Sequence, residues 1–161
     1  MMKKYIYNNI TYDSKEEVEF AQWCDEALRL GVINNYTYHC VEYLLSEKND
    51  FFRKHIYTPD FLIEINDKYK HLFPMQKMII DVKGMFAKHD GERSFRINQK
   101  WVYDKHKIYI HKVIPKEWFG KYGVPELCRF TEKTKKEREI YKNFNSIEKL
   151  FLKNVNNNIT K

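Results

Sequence analysis

A chain of 161 residues with 43% hydrophobic and 16% aromatic side chains has enough apolar mass to bury one core, which excludes whole-chain disorder. Five glycines and four prolines exclude a collagen-like or low-complexity chain, and no apolar run approaches the roughly 18 residues of a membrane helix. Twenty-nine Lys plus Arg against 22 Asp plus Glu leave a net charge of +7, which favours a polyanionic partner, nucleic acid first among them.

In chain order, Tyr5–Tyr12 reads as a short strand or hairpin arm around Asn8-Asn9, with no apolar stretch before it, so no secretory signal is expected. Ser14 and Glu17 spell a capping box, and the helix they open should run to about Leu30 and stop at Gly31. Phe20, Ala21, Cys24, Ala27 and Leu28 give it one buried face. Tyr36–Leu45 and Phe52–Ile65 read as strands, with Pro59 at an edge, bulge or strand start, because it has no N–H for a ladder. Asn66–Pro74 is a polar turn, and residues 78–83 form the most strand-like segment, closed by Gly84. Met85–Arg93 reads as a loop, Ser94 as the cap of a second helix to about Lys105, and Lys107–Ile114 as a strand. Beyond Pro115 the spacing predicts a loop or short helix over Trp118–Phe130, an exposed charged helix over Thr131–Asn143, an amphipathic helix over Ser146–Val155 and frayed last residues. The order β-α-β-β-β-α-β plus a helical tail defines an α/β class with a mixed central sheet flanked by helices. It divides the chain into a core over 1–114 and a C-terminal helical extension over 115–161 that binds DNA or dimerises. Three widely spaced cysteines, Cys24, Cys40 and Cys128, without a CxxC, suit a reduced, cytoplasmic interior.

The chemistry concentrates in Pro59-Asp60 and Asp81-Val82-Lys83. In a strand the side chains alternate, so Asp81 and Lys83 share one face while Ile80 and Val82 pack on the other. Asp60, from the preceding strand of the same meander, can converge on Asp81. Two carboxylates at one sheet end are costly unless a cation or a proton separates them, and Mg²⁺, with Mn²⁺ able to substitute, takes such hard oxygen ligands. The expected ligands are Asp60, Asp81, the backbone carbonyl of Val82 and, directly or through water, Glu17. Lys83 would orient and activate the attacking water, so the set suits phosphodiester hydrolysis. Glu17 falls mid-stripe on the first helix, with Glu16 and Glu19 turned to the side or to solvent. The capping box accounts for Glu17 by itself, a metal role is the alternative, and which of the three acids serves stays open.

These residues resemble the PD-(D/E)XK nuclease superfamily, in which a helix acid, a Pro-Asp and a D/E-x-K strand build one metal site. The match is Glu17, Pro59-Asp60 and Asp81-Val82-Lys83-Gly84, within a resemblance covering Tyr5–Ile114. The wording of residues 12–17 and 95–101 is similar to small phage-encoded members, among them Holliday-junction resolvases, and to transposon-end nucleases. The resemblance implies a restriction-endonuclease-like core and a Mg²⁺-dependent endodeoxyribonuclease with Glu17, Asp60, Asp81 and Lys83 as catalytic residues. It further implies action on branched DNA in phage or mobile-element recombination, within a bacterial cytoplasm. The second helix of those relatives carries two lysines. Lys100 fits one, and Asn98 stands in place of the other. Two alternatives remain: a sequence-specific homing, restriction or transposon-end endonuclease, and a non-catalytic DNA-binding module on the same fold.

Lys88, Arg93, Arg96, Lys100 and Lys105 are the candidate DNA contacts, each weighed against an ordinary solvated helix face. Phe95 and Trp101 read as core. The six histidines lack metal-ligand spacing, so no zinc site is expected. The apolar side of the tail, Ile140, Tyr141, Phe144, Ile147, Leu150 and Phe151, can dock on the core or on a second copy. Two-fold cutting of a symmetric junction favours the second copy and a homodimer.

Overall fold

The computed structural model describes residues 4–39, 41–85 and 89–153. Cys40, Lys88 and the final segment expected to fray lie outside the described residues.

Strands β1 (Tyr5–Tyr7) and β2 (Ile10–Tyr12) form an antiparallel hairpin. Asn8 and Asn9 turn it with φ of 49° and 61°, the left-handed pair that a two-residue hairpin needs and that Asn tolerates. Helix α1 (Lys15–Arg29) follows. The Glu17 N–H donates to Ser14 Oγ at 3.2 Å, while the Glu17 carboxylate accepts from Ser14 Oγ at 2.9 Å and from the Asp13 N–H at 3.2 Å. Gly31, at φ 74°, ends the helix and lets the Val32 N–H reach the Ala27 carbonyl at 2.8 Å.

The chain then builds β3 (Ile33–Tyr38), β4 (Tyr43–Ser46), β5 (His55–Tyr57), β6 (Phe61–Ile65) and β7 (Lys77–Val82). Helix α2 (His89–His106) crosses over to β8 (Ile110–Val113). The central sheet is four-stranded and mixed, in the order β3-β6-β7-β8, antiparallel except for the parallel β7–β8 pair. β4 and β5 form a separate antiparallel hairpin. The fold is therefore mixed α/β, with the sheet flanked by helices.

Alternation along β7 divides the two sides of the sheet. Met78, Ile80 and Val82 join the main core with Phe61, Ile63 and Ile65, under the α1 residues Phe20, Trp23, Cys24 and Ala27. Ile79 packs on the other side in a smaller core of Leu45, Tyr57, Phe95, Val102 and Ile110, which joins α2 to the β4–β5 hairpin. Among the described residues no helix is long and apolar enough to cross a membrane.

Several expected boundaries move. The strand expected over Tyr36–Leu45 is two strands in two sheets, because the chain leaves β3 at His39, where φ is 52°. The second helix begins at His89 and not at Ser94, so Gly91 lies inside it. Leu28 is 41% exposed, and Trp23 takes its place in the core. The reason is long-range: Trp23 stacks edge-on against Trp118 at 5.2 Å, which draws the buried arc of α1 toward the C-terminal segment.

That segment comprises α3 (Pro115–Tyr122), α4 (Glu126–Arg129), a 3-10 turn at Glu139–Tyr141 and α5 (Ile147–Phe151). Its Trp118, Phe119, Tyr122, Cys128, Tyr141, Ile147 and Phe151 belong to the main core, so its apolar side docks on its own chain. The charged helix expected over Thr131–Asn143 does not form. Thr131 and Thr134 bond one another, the Lys136 N–H donates to Thr131 Oγ1, Lys135 takes φ 53° and Phe130 pairs with Glu137. Such local side-chain bonds compete with helix. Arg138 is fixed instead by Glu19, at 2.8 Å. Glu19, expected to the side or in solvent, is 9% exposed because Arg138 and Tyr141 cover it.

Candidate active site

Strand register assembles the site. Tyr38 faces Phe61, and Phe61 faces Ile80. One step outward, His39, Asp60 and Asp81 therefore form a row across three neighbouring strand ends. The backbone closes that row: the His39 N–H donates to the Asp60 carbonyl at 2.8 Å, and the Asp60 N–H to the Ile80 carbonyl at 3.0 Å. Pro59, buried between β5 and β6, stands where no ladder N–H is required.

Asp81 is 4% exposed. One carboxylate oxygen accepts the Tyr57 hydroxyl, and the other meets the Lys83 ammonium. Burial, then the charge of Asp81, pushes the Tyr57 phenol well above its ordinary value, so Tyr57 remains a donor. The Lys83 ammonium also lies 5.6 Å over the Phe95 ring of α2.

Asp60 Oδ2 accepts the Val82 N–H at 2.6 Å, and Oδ1 lies 3.8 Å from His39 Nε2. Val82, expected through its carbonyl, thus meets the site through its amide. Burial pushes the Asp60 carboxyl up to about 8, with Asp81 and Glu17 adding to the rise and the Val82 amide and Lys83 opposing it. Asp60 is thus an electrostatic neighbour of both other acids.

Glu17 is 6% exposed and bonded on both oxygens, Oε2 accepting the Tyr38 hydroxyl at 2.6 Å besides its capping partners. Of the three helix acids it is the one beside Asp60. Glu16 lies over Gly84, with an oxygen 3.3 Å from where a Cβ would stand, and Glu19 belongs to Arg138. Ligand atoms of Asp13, Glu17 and His39 also fall within 4.8 Å of one another.

Buried Asp81 and half-buried Asp60 stand side by side with one ammonium, Lys83, paired to Asp81, and with Glu17 close by. This excess of negative charge on hard oxygens is a donor set that fits Mg²⁺ or Mn²⁺. Asp60 and Asp81 would hold such an ion, while both Glu17 oxygens are already hydrogen-bonded to Asp13, Ser14 and Tyr38.

The basic residues are distributed differently. At about 100° per residue, Arg93, Arg96 and Lys100 fall on one stripe of α2, opposite Phe95 and Val102. All three are exposed, on the side of the helix away from Lys83, and Arg96 bonds Glu92 at 3.2 Å. Lys105 donates to the Leu45 carbonyl at 2.8 Å, and His106 Nε2 lies 3.0 Å from the Leu44 carbonyl, so together they cover β4. Phe95 is core, and Trp101 packs on His55 with centroids 5.1 Å apart.

Tyr57, His39, Asp13 and Tyr38 reach the site without any local signal. Tyr57 and His39 are found only once strand register is known, since neither belongs to a short motif. No protein-family model, curated protein or solved structure matches this chain.

Proposed function

We propose that this protein is a Mg²⁺-dependent endodeoxyribonuclease that hydrolyses phosphodiester bonds, with branched DNA as its preferred substrate. The observation that carries the reading is the register-paired Asp60, half-buried, and Asp81, buried, beside Lys83, with the Asp60 carboxyl pushed up to about 8. Buried like charges are destabilising, and structures keep them chiefly where a function needs them.

A bound divalent cation would supply Lewis-acid polarisation of the phosphate and charge neutralisation. Asp60 and Asp81 would bind it. Tyr57 positions Asp81 by its hydrogen bond, and the Val82 amide positions Asp60. The Lys83 ammonium lies against Asp81, where it orients the attacking water and offsets charge gathering on the phosphate. The net charge of +7 gives the affinity for a DNA backbone, and the exposed stripe of Arg93, Arg96 and Lys100, on the face of α2 turned from Lys83, would contact the backbone away from the bond cut. Two copies acting on one junction follow from the two-fold symmetry of that substrate. Tyr141, Ile147 and Phe151 are consumed inside the chain, so the pairing uses another surface.

The test is cleavage of end-labelled four-way junction, fork and linear duplex, with Mg²⁺ or EDTA, beside Lys83→Ala. Paired nicks in the junction that vanish with EDTA and with Lys83→Ala are expected. Cleavage that survives both overturns the reading.

A further inference from the structure

The β4–β5 hairpin carries a second feature that the metal site does not use. Phe51 and Phe52, at its tip, are 87% and 71% exposed. Single exposed apolar residues are ordinary, but here the chain is built to hold two adjacent rings out. Asn49 Oδ1 accepts the N–H groups of both Phe51 and Phe52 at 2.9 Å, and the Asn49 N–H donates to the Phe52 carbonyl at 3.0 Å. The turn is thus closed by its own polar groups, and the rings contribute nothing to closing it.

Three cations, Lys48, Arg53 and Lys54, outnumber the two acids, Glu47 and Asp50, around the rings. Ser46 faces His55, and continuing that register outward sets Glu47 beside Lys54 and Lys48 beside Arg53 at the neck of the loop. Lys48, Arg53 and Lys54 are exposed and take no ion pair among the described residues. The base of the hairpin is anchored at the candidate site, because Tyr57 on β5 bonds Asp81. Phe52 precedes Tyr57 by five residues, so the tip stands at most about 18 Å along the chain from that contact.

From this geometry we infer that the tip is a base-stacking wedge for DNA with exposed base faces, as at a branch point or in a single strand. Aromatic rings bind bases through their faces, and flanking cations hold the phosphates. An intact duplex hides those faces in its stack, so the rings distinguish interrupted DNA from linear duplex. At about 3.4 Å per base step that reach sets an upper limit of about five nucleotides between the branch and the bond cut. This deepens the nuclease reading and rests on it for the cutting distance alone.

The experiment compares wild type with the double variant F51A/F52A. Both rings are exposed, so an unchanged melting temperature is expected. Binding is measured in EDTA, where no cleavage interferes, to a four-way junction with 2-aminopurine at the branch, to an oligothymidine strand and to linear duplex. The expected result is an affinity loss of about tenfold or more for junction and single strand, with duplex within about twofold. Wild type should also quench the 2-aminopurine emission, and the variant should not. Equal losses on all three DNAs, or none, overturn the proposal. So does a wild-type dimer in sedimentation that F51A/F52A converts to monomer, since the rings would then bury against a second copy. Ring-dependent junction binding by a wild type that fails to cut in Mg²⁺ would uphold the wedge and remove the nuclease. Cleavage lost in Asp81→Asn but unaltered in F51A/F52A, with equal junction affinity, would do the reverse.

Discussion

The two sides of the central sheet divide the labour between holding the fold together and carrying charge. Beneath α1, Phe20, Trp23, Trp118, Phe73 and Tyr122 interlock with centroids between 4.3 and 6.0 Å apart. Beneath α2 the core is small, and it borders Asp81, Tyr57 and Lys83. An ion pair and an added carboxylate out of water are weak or negative contributors to stability. The aromatic side offsets that cost, so disruption of one side should unfold the protein and disruption of the other should silence it.

The sharpest separation is expected from Asp81→Asn. If the proposed activity holds, cleavage should fall by about a thousandfold or more, because several kcal/mol of charge stabilisation at the phosphate would depend on the cation that Asp81 would hold. The melting temperature in EDTA should change far less than cleavage does, since the relief of repulsion with Asp60 offsets the lost Lys83 ion pair and Asn keeps an acceptor for Tyr57. Trp23→Ala is the converse. A cavity in the aromatic side should cost about 3–5 kcal/mol, read as a lower urea midpoint. Residual cleavage per folded molecule should be unchanged.

Tyr57→Phe tests the bridge between the small core and the site. It removes one hydrogen bond from Asp81 and little volume, so the Mn²⁺ needed for half-maximal binding should rise about tenfold. A shift in unfolding midpoint with no change in metal dependence would make Tyr57 a packing residue only.

The pH dependence is a finer probe. Asp60 holds its proton in the folded protein up to about 8 and releases it near 3.8 when unfolded. Between those values the folded state binds more protons, so the stability this group contributes is present at acid pH and lost as pH rises through 8. In EDTA the urea midpoint should fall from pH 5 to pH 9, and Asp60→Asn should flatten that fall. The smallest change expected is Ser14→Ala, about 1 kcal/mol from a lost helix cap.

What the sequence made legible was local. Ser14 and Glu17 make their cap, Gly31 ends its helix, and the alternation from Ile80 to Lys83 separates core from site. The parts that were not legible depend on residues far apart in the chain. Nothing near Tyr57 announces Asp81, and nothing near Glu19 announces Arg138, which is 119 residues away. The strand break at His39 was hidden for a different reason. A left-handed residue within an aromatic, β-branched run leaves no compositional trace, yet it sends β4 to another sheet and sets His39 beside Asp60. Leu28 and Trp23 exchanged roles because helical periodicity defines an arc, while its centre is fixed by what packs against it.

The bond from the Trp23 indole N–H to the Tyr122 carbonyl spans 99 residues. On a ribosome, at about 5–20 residues per second, α1 waits about 5–20 s for that partner to be made. For that interval Phe20 and Trp23 lack the cover that Trp118 gives them, while β6 and β7, adjacent in sequence, can already pair. The residues of the carboxylate row are therefore all made before the segment that closes the aromatic side. A nascent chain halted near residue 115 would leave Phe20 and Trp23 without that cover, and it would be a ready client for a chaperone that binds aromatic surfaces.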